Sequence, residues 1–285
     1  MSALPQSVNY QEPLVVLPEN TTNFEYTAVP VNGSTFAPSS QILINLGNRG
    51  FLDPASLYFR YKITYTGTAA QVPTICGVPA YTPILRLDTF ANSQNIETIN
   101  NYNSVSALSV NMQLNVADKL GQQFNLGFTD TGLGNENTDG ASFTVPAGGT
   151  KDFFYSAPLI GLLGNSEKLI PLFLLNNIRV ALTLDSVANV ATNITAGDII
   201  TNFSITNFEL CYNCIDMGME VQNEIIRMNP KLRIKSSTWA TSLAPQIASG
   251  SSGSQSLTFN LRYASVKSCL LFSVELMVQD LLINY

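Results

Sequence analysis

The chain has 285 residues, of which 45% are hydrophobic and only 12% charged, against about 25% charged in an ordinary soluble domain. It carries a formal net charge of −6 and no histidine, which removes histidine-based nucleophilic catalysis and histidine-ligated metal sites together. The length suits one large all-β domain or two smaller ones, and the abundant Ser, Thr, Asn, Gly and Pro fit β structure with polar loops. Depleted charge fits surfaces that meet other protein, and fits a monomeric sandwich with neutral loops equally well.

Residues 1–40 are polar and Pro-punctuated and read as an extended N-terminal arm. Met1-Ser2-Ala3-Leu4-Pro5-Gln6 has neither a basic start nor an apolar run, so no secretory signal is expected. The first basic residue is Arg49. The arm therefore has no charge to neutralise phosphates, and no nucleic-acid-binding signal stands out. Gln41-Ile42-Leu43-Ile44-Asn45-Leu46 predicts a strand with Ile42, Ile44 and Leu46 on one face. From Leu57 to Tyr65 the alternation is clean, with Leu57, Phe59, Tyr61, Ile63 and Tyr65 inward and Arg60, Lys62 and Thr64 outward. Another strand is expected between Pro83 and Phe90.

Residues 103–121 predict a short helix, with Val105, Leu108, Met112 and Val116 as its stripe and Lys119 and Gly121 as its end. Residues 122–151 carry six glycines and read as a long surface loop. Its Asp130–Asp139 stretch lacks the ordered ligand spacing of a calcium loop. Phe153-Phe154-Tyr155, the apolar Leu159–Leu163, Lys168–Leu175, Ile178–Leu184 and Phe203–Tyr212 continue the strand series. Of the four cysteines, Cys76, Cys211, Cys214 and Cys269, only Cys211 and Cys214 form a CxxC. In a strand, residues three apart point to opposite faces, so buried free thiols are expected rather than a zinc or redox pair. Arg227, Lys231, Arg233 and Lys235 follow Asp216, Glu220 and Glu224, which reads as a solvated linker rather than a phosphate patch. Ser236–Gln255 is a Ser/Gly-rich loop holding the single Trp239. The strand Leu257–Tyr263 and an apolar run to Tyr285 follow. No window reaches the roughly 18 apolar residues of a membrane span.

Four segments in order resemble the double jelly-roll major capsid proteins of virophages and Polinton-like viruses. They are Asn95-Ile96-Glu97-Thr98-Ile99-Asn100-Asn101-Tyr102-Asn103; Ala157-Pro158-Leu159-Ile160-Gly161-Leu162-Leu163-Gly164 with Lys168-Leu169-Ile170-Pro171-Leu172 and Ile178-Arg179-Val180; Asn207-Phe208-Glu209-Leu210-Cys211-Tyr212; and Leu261-Arg262-Tyr263-Ala264-Ser265-Val266-Lys267-Ser268. The resemblance spans residues 41–272. It implies an all-β, jelly-roll β-sandwich of viral capsid type, with the short helix near 103–121. The expected division is an arm at 1–40, a first jelly roll at 41–215, a linker at 216–235, and at 236–285 the start of a second, incomplete jelly roll. The family's chains hold two complete barrels, more than this chain holds.

The implied role is structural: homotrimeric capsomers that meet neighbouring capsomers, penton and minor capsid proteins in a virion assembled inside the infected cell. No catalytic residue, cofactor or metal site is expected. Asp88 and Glu97 are two carboxylates near a strand end, and nothing in the sequence shows that they face each other. The alternative reading is a lectin-like, fibre or minor capsid sandwich, with Trp239, Asp130, Asn137 and Asp139 as loop candidates.

Overall fold

A computed structural model of the protein describes residues 21–67, 78–127, 149–175, 177–190, 200–228 and 236–239. The chain divides into two units after Thr241, and all the described residues belong to the first.

Among the described residues, eight longer strands carry this unit: β1 (Thr22–Ala28), β3 (Gln41–Asn45), β5 (Tyr58–Gly67), β6 (Ile84–Ala91), β7 (Gln94–Asn100), β8 (Thr150–Pro158), β10 (Arg179–Leu184) and β11 (Ile200–Asp216). Two-residue strands β2 (Thr35–Phe36), β4 (Phe51–Leu52) and β9 (Ile170–Pro171) extend one sheet. The long strands pair antiparallel from the outside in. The first meets the last (β1 with β11), the second the seventh (β3 with β10), the third the sixth (β5 with β8), and the fourth the fifth (β6 with β7). Such a nested ribbon cannot stay flat, because its strands twist. It rolls up through two further pairings, β11 with β5 and β10 with β6, into sheets ordered β8-β5-β11-β1 and β3-β10-β6-β7. That strand order is a jelly roll.

Leu57, just before β5, and Phe59, Tyr61, Ile63 and Tyr65 on its inward face are each at most 2% exposed, as the alternation predicts. Ile42 and Ile44 of β3 are likewise fully buried. Phe208 stacks on Phe59 and Tyr61 with centroids 5.8 and 5.7 Å away. It reaches them through a bulge: the β11–β5 register slips between Thr206 and Glu209, where Asn207 adopts φ 52°. Buried tyrosines need a partner for the hydroxyl, and these spend it on connections. Tyr61 Oη donates to Ala80 O at 2.8 Å and Tyr81 Oη to Pro158 O at 2.8 Å. Tyr102 Oη accepts from Ile160 N at 2.9 Å and Tyr212 Oη from Gly47 N at 3.0 Å.

Several boundaries differ from the sequence reading. Residues 22–28, read as part of the arm, form β1; their mostly exposed side chains hide the strand from a hydrophobic pattern, since β1 is a sheet edge. The predicted helix breaks into α1 (Tyr102–Gln113), α2 (Val116–Gly121) and α3 (Gln123–Leu126), the last inside the expected loop. Its buried face carries Tyr102, Val105, Ser106, Ser109 and Val110, whereas Met112 is 61% exposed. Small serines pass for surface in a hydrophobicity count but pack closely against the sheet. A four-residue helix α4 (Val187–Val190) follows β10. The expected linker at 216–235 contains helix α5 (Gly218–Met228). Asp216 starts it, accepting from Gly218 N at 3.0 Å and from Arg49 Nε at 2.6 Å. Residues 236–239, assigned from sequence to the second jelly roll, belong to the first unit.

Candidate interaction surface

The strongest catalytic suspicion in the sequence, Asp88 with Glu97, dissolves in the register. Thr89 pairs with Glu97 and Asp88 with Thr98 on adjacent strands β6 and β7. Cross-strand partners share a face and successive residues do not, so the two carboxylates lie on opposite faces of one sheet. Asp88, outward, accepts from Arg86 Nη2 at 2.8 Å, Thr98 Oγ1 at 2.6 Å and Asn95 Nδ2 at 3.3 Å. Glu97, inward and 5% exposed, accepts from Thr89 Oγ1 at 3.0 Å, Leu162 N at 2.8 Å and Thr238 Oγ1. Burial pushes its carboxyl above the ordinary value, and the three hydrogen bonds pull against that rise. Among the described residues no group of three or more Cys, Asp or Glu could hold a metal ion. Cys211 and Cys214 are free, buried thiols, as expected of a CxxC inside a strand. Asp130, Asn137, Asp139, Cys76, Cys269, Lys231, Arg233, Lys235 and the 261–268 segment lie outside the described residues. Trp239 is half-buried against the core, so it is not the exposed aromatic a sugar-binding loop needs.

Two buried polar nodes hold the connections in place. At the first, Asp185 gathers four of them. Its backbone bonds Ser39 N (3.1 Å) and Pro83 O (2.9 Å), and its carboxylate accepts from Asn103 Nδ2 (3.1 Å), Ser186 N (2.7 Å) and Asn189 Nδ2 (2.9 Å). The second joins two of the segments that carry the capsid resemblance. Glu97 and Tyr102 of the first hold the amides of Leu162 and Ile160 in the second. Asp185 had no sequence signal, since a lone Asp after a strand reads as an ordinary turn.

The outer face of the β8-β5-β11 sheet is a candidate contact surface. Its charges pair off across strands: Arg60 with Glu209 at 2.5 Å and Lys62 with Asp152 at 2.8 Å. The Lys62 ammonium holds the Asp152 carboxyl below its ordinary value. Between these pairs Phe154 stands 68% exposed, with Lys62 Nζ 5.9 Å from its ring centroid. An open groove of about 420 Å³ runs beside it, lined by Arg60, Asn125, Ser156, Asn207 and Glu209. A face with neutralised charge and a bare aromatic ring is chemically suited to protein contact. On α5, Met219 and Ile226 add further exposed apolar surface, while Arg227 is paired with Glu224 at 2.7 Å.

No family model matches the chain, and no curated protein matches it. Solved structures it resembles include viral capsid proteins. The Faustovirus major capsid protein matches at 11% identity over 79% of this chain and 59% of that one, with a TM-score of 0.49. The mavirus major capsid protein matches at 14% over 77% and 51%, TM-score 0.42, and the Sputnik virophage structure at 14% over 77% and 53%, TM-score 0.43. The chain spans about half the length of the solved chains it matches. The strand order itself fixes the fold.

Proposed function

We propose that the chain is a structural subunit of an icosahedral viral capsid, contributing a jelly roll of the double jelly-roll type and residing in the virion. The observation that carries this is the nested strand order β8-β5-β11-β1 over β3-β10-β6-β7, one of the architectures on which capsid shells are built. The absence of histidine from the sequence removes the metal chemistry of jelly-roll oxygenases. The outer sheet face, with its ion pairs closed and Phe154 bare, supports contact between copies. The capsid-like segments support it too, because Glu97 and Tyr102 bind the backbone of the 157–164 segment. The partners on this reading are further copies in trimeric capsomers of the virophage or Polinton-like kind, then neighbouring capsomers, penton and minor capsid proteins.

Light scattering coupled to size exclusion tests it on the purified 30.9 kDa chain. The expected result is a trimer or a larger shell. A monomer at every accessible concentration overturns self-assembly by this chain.

A further inference from the structure

Beyond helix α5, residues 236–239 lie against the sandwich. Ser236 Oγ donates to Leu162 O at 2.6 Å, Asn165 Nδ2 donates to Ser237 O at 3.1 Å, and Thr238 Oγ1 donates to Glu97 Oε1. Trp239 packs on the core cluster. Each of the four consecutive residues has its own partner in the sandwich, and three of the contacts fall on the turn between β8 and β9 or on the carboxylate that holds that turn. A solvated linker would leave such hydroxyls and carbonyls to water. The receiving site is built rather than incidental. Glu97 is anchored from inside by Thr89, and Gly161 lets the turn pass so close that a Cβ there would lie 3.1 Å from Glu97 Oε2.

We propose that Glu97, Leu162 and Asn165 form a docking site for an extended Ser/Thr-Trp peptide, and that its occupant is the chain's own Ser236–Trp239. Docked, this strap ties residues 236–239 to the turn between β8 and β9 and to the carboxylate that holds it. Its recognition chemistry is a carboxylate and a backbone carbonyl for hydroxyl donors, an amide for a peptide carbonyl, and a shelf of core side chains for the indole. The site stands whether or not the chain assembles into shells.

Trp239 is the only tryptophan in the sequence, so it reports the strap directly in the full chain. Lys235, immediately before it, supplies a trypsin site. In the wild type we expect blue-shifted Trp emission with weak acrylamide quenching, and slow cleavage after Lys235. Thr238→Val and Asn165→Ala each remove one strap contact at a position that is not buried. Each should shift the emission to the red and speed cleavage by about tenfold, the factor by which losing one hydrogen bond raises a local opening equilibrium. Unchanged melting temperatures confirm that the sandwich itself is intact in both. Water-like Trp239 emission in the wild type, or identical emission and cleavage in wild type and both variants, overturns the proposal.

Discussion

Replacing Asp185 by alanine removes the carboxylate that joins the start of α1 at Asn103 to the turn after β10 at Ser186 and Asn189, and the loss can be worked from its donors. Asn189 is exposed and Ser186 half-buried, so both recover water; the bond to Ser186 N resembles a helix cap, worth about 1 kcal/mol. Asn103 is only 8% exposed and cannot do so. Its amide loses a bond to a carboxylate oxygen, worth roughly 1.5–3 kcal/mol. The backbone bonds of residue 185 to Ser39 and Pro83 survive the substitution. The sum, about 3 kcal/mol, lowers the melting temperature of a unit this size by roughly 6–12 °C. Asp185→Asn is expected to cost about half as much, because its amide group turns one donor toward another at Asn103. Urea denaturation of Asp185→Ala, Asn103→Ala and the double variant measures the coupling, expected at about 1–2 kcal/mol. A loss under about 1 kcal/mol for Asp185→Ala, or a coupling indistinguishable from zero, would refute the claim that this carboxylate ties the connections together.

Glu97 is pushed up by burial, so its contribution to stability is present below the ordinary carboxylate range and is lost as pH rises through its raised value. Glu97→Gln keeps an acceptor for Leu162 N and Thr238, and should therefore gain on the wild type as pH goes from mildly acidic to neutral; denaturant melts at the two conditions read the difference. Gly50 sits at φ 69°, where an added Cβ would lie 2.7 Å from Ile215 O, so Gly50→Ala should cost about 1–3 kcal/mol in the same assay. Phe154→Asp alters a ring that is 68% exposed and should leave stability within about 0.5 kcal/mol while weakening association in light scattering about tenfold or more. Unchanged association would remove this face from the contact surface.

The sandwich was legible wherever one face of a strand is buried and the other wet. Leu57 to Tyr65 is the clearest case, with every inward residue named in advance at most 2% exposed. The same logic missed β1, because an edge strand that leaves Asn23, Glu25 and Thr27 in solvent has no contrast to read. It also misjudged the helix face, where Ser106 and Ser109 are buried and Met112 is not. Hydrophobicity ranks side chains by transfer cost, and a tight approach to a sheet selects by size instead. The polar nodes were the least legible. Glu97 was noticed within a capsid-like segment and as one of two carboxylates near a strand end, and Tyr102 only within that segment. Asp185 was not noticed at all, because burial of one carboxylate depends on donors as far apart in sequence as Asn103 and Asn189.

The nested ribbon also dictates an order of events in time. Thr22 pairs with Asp216, so of the described strands the earliest made must wait for the latest before it is paired. Among the described strands, only β6 and β7, joined by a two-residue turn at Asn92 and Ser93, can close as soon as they are made. Folding then proceeds outward from that hairpin, each later strand finding a progressively more distant partner. Loop closure must be met before each of those pairings rewards it, which puts the refolding time in the millisecond-to-second range of non-local β proteins. During that interval the unpaired β1 and β3 are the segments most open to chaperones, to premature aggregation, or to another copy emerging nearby.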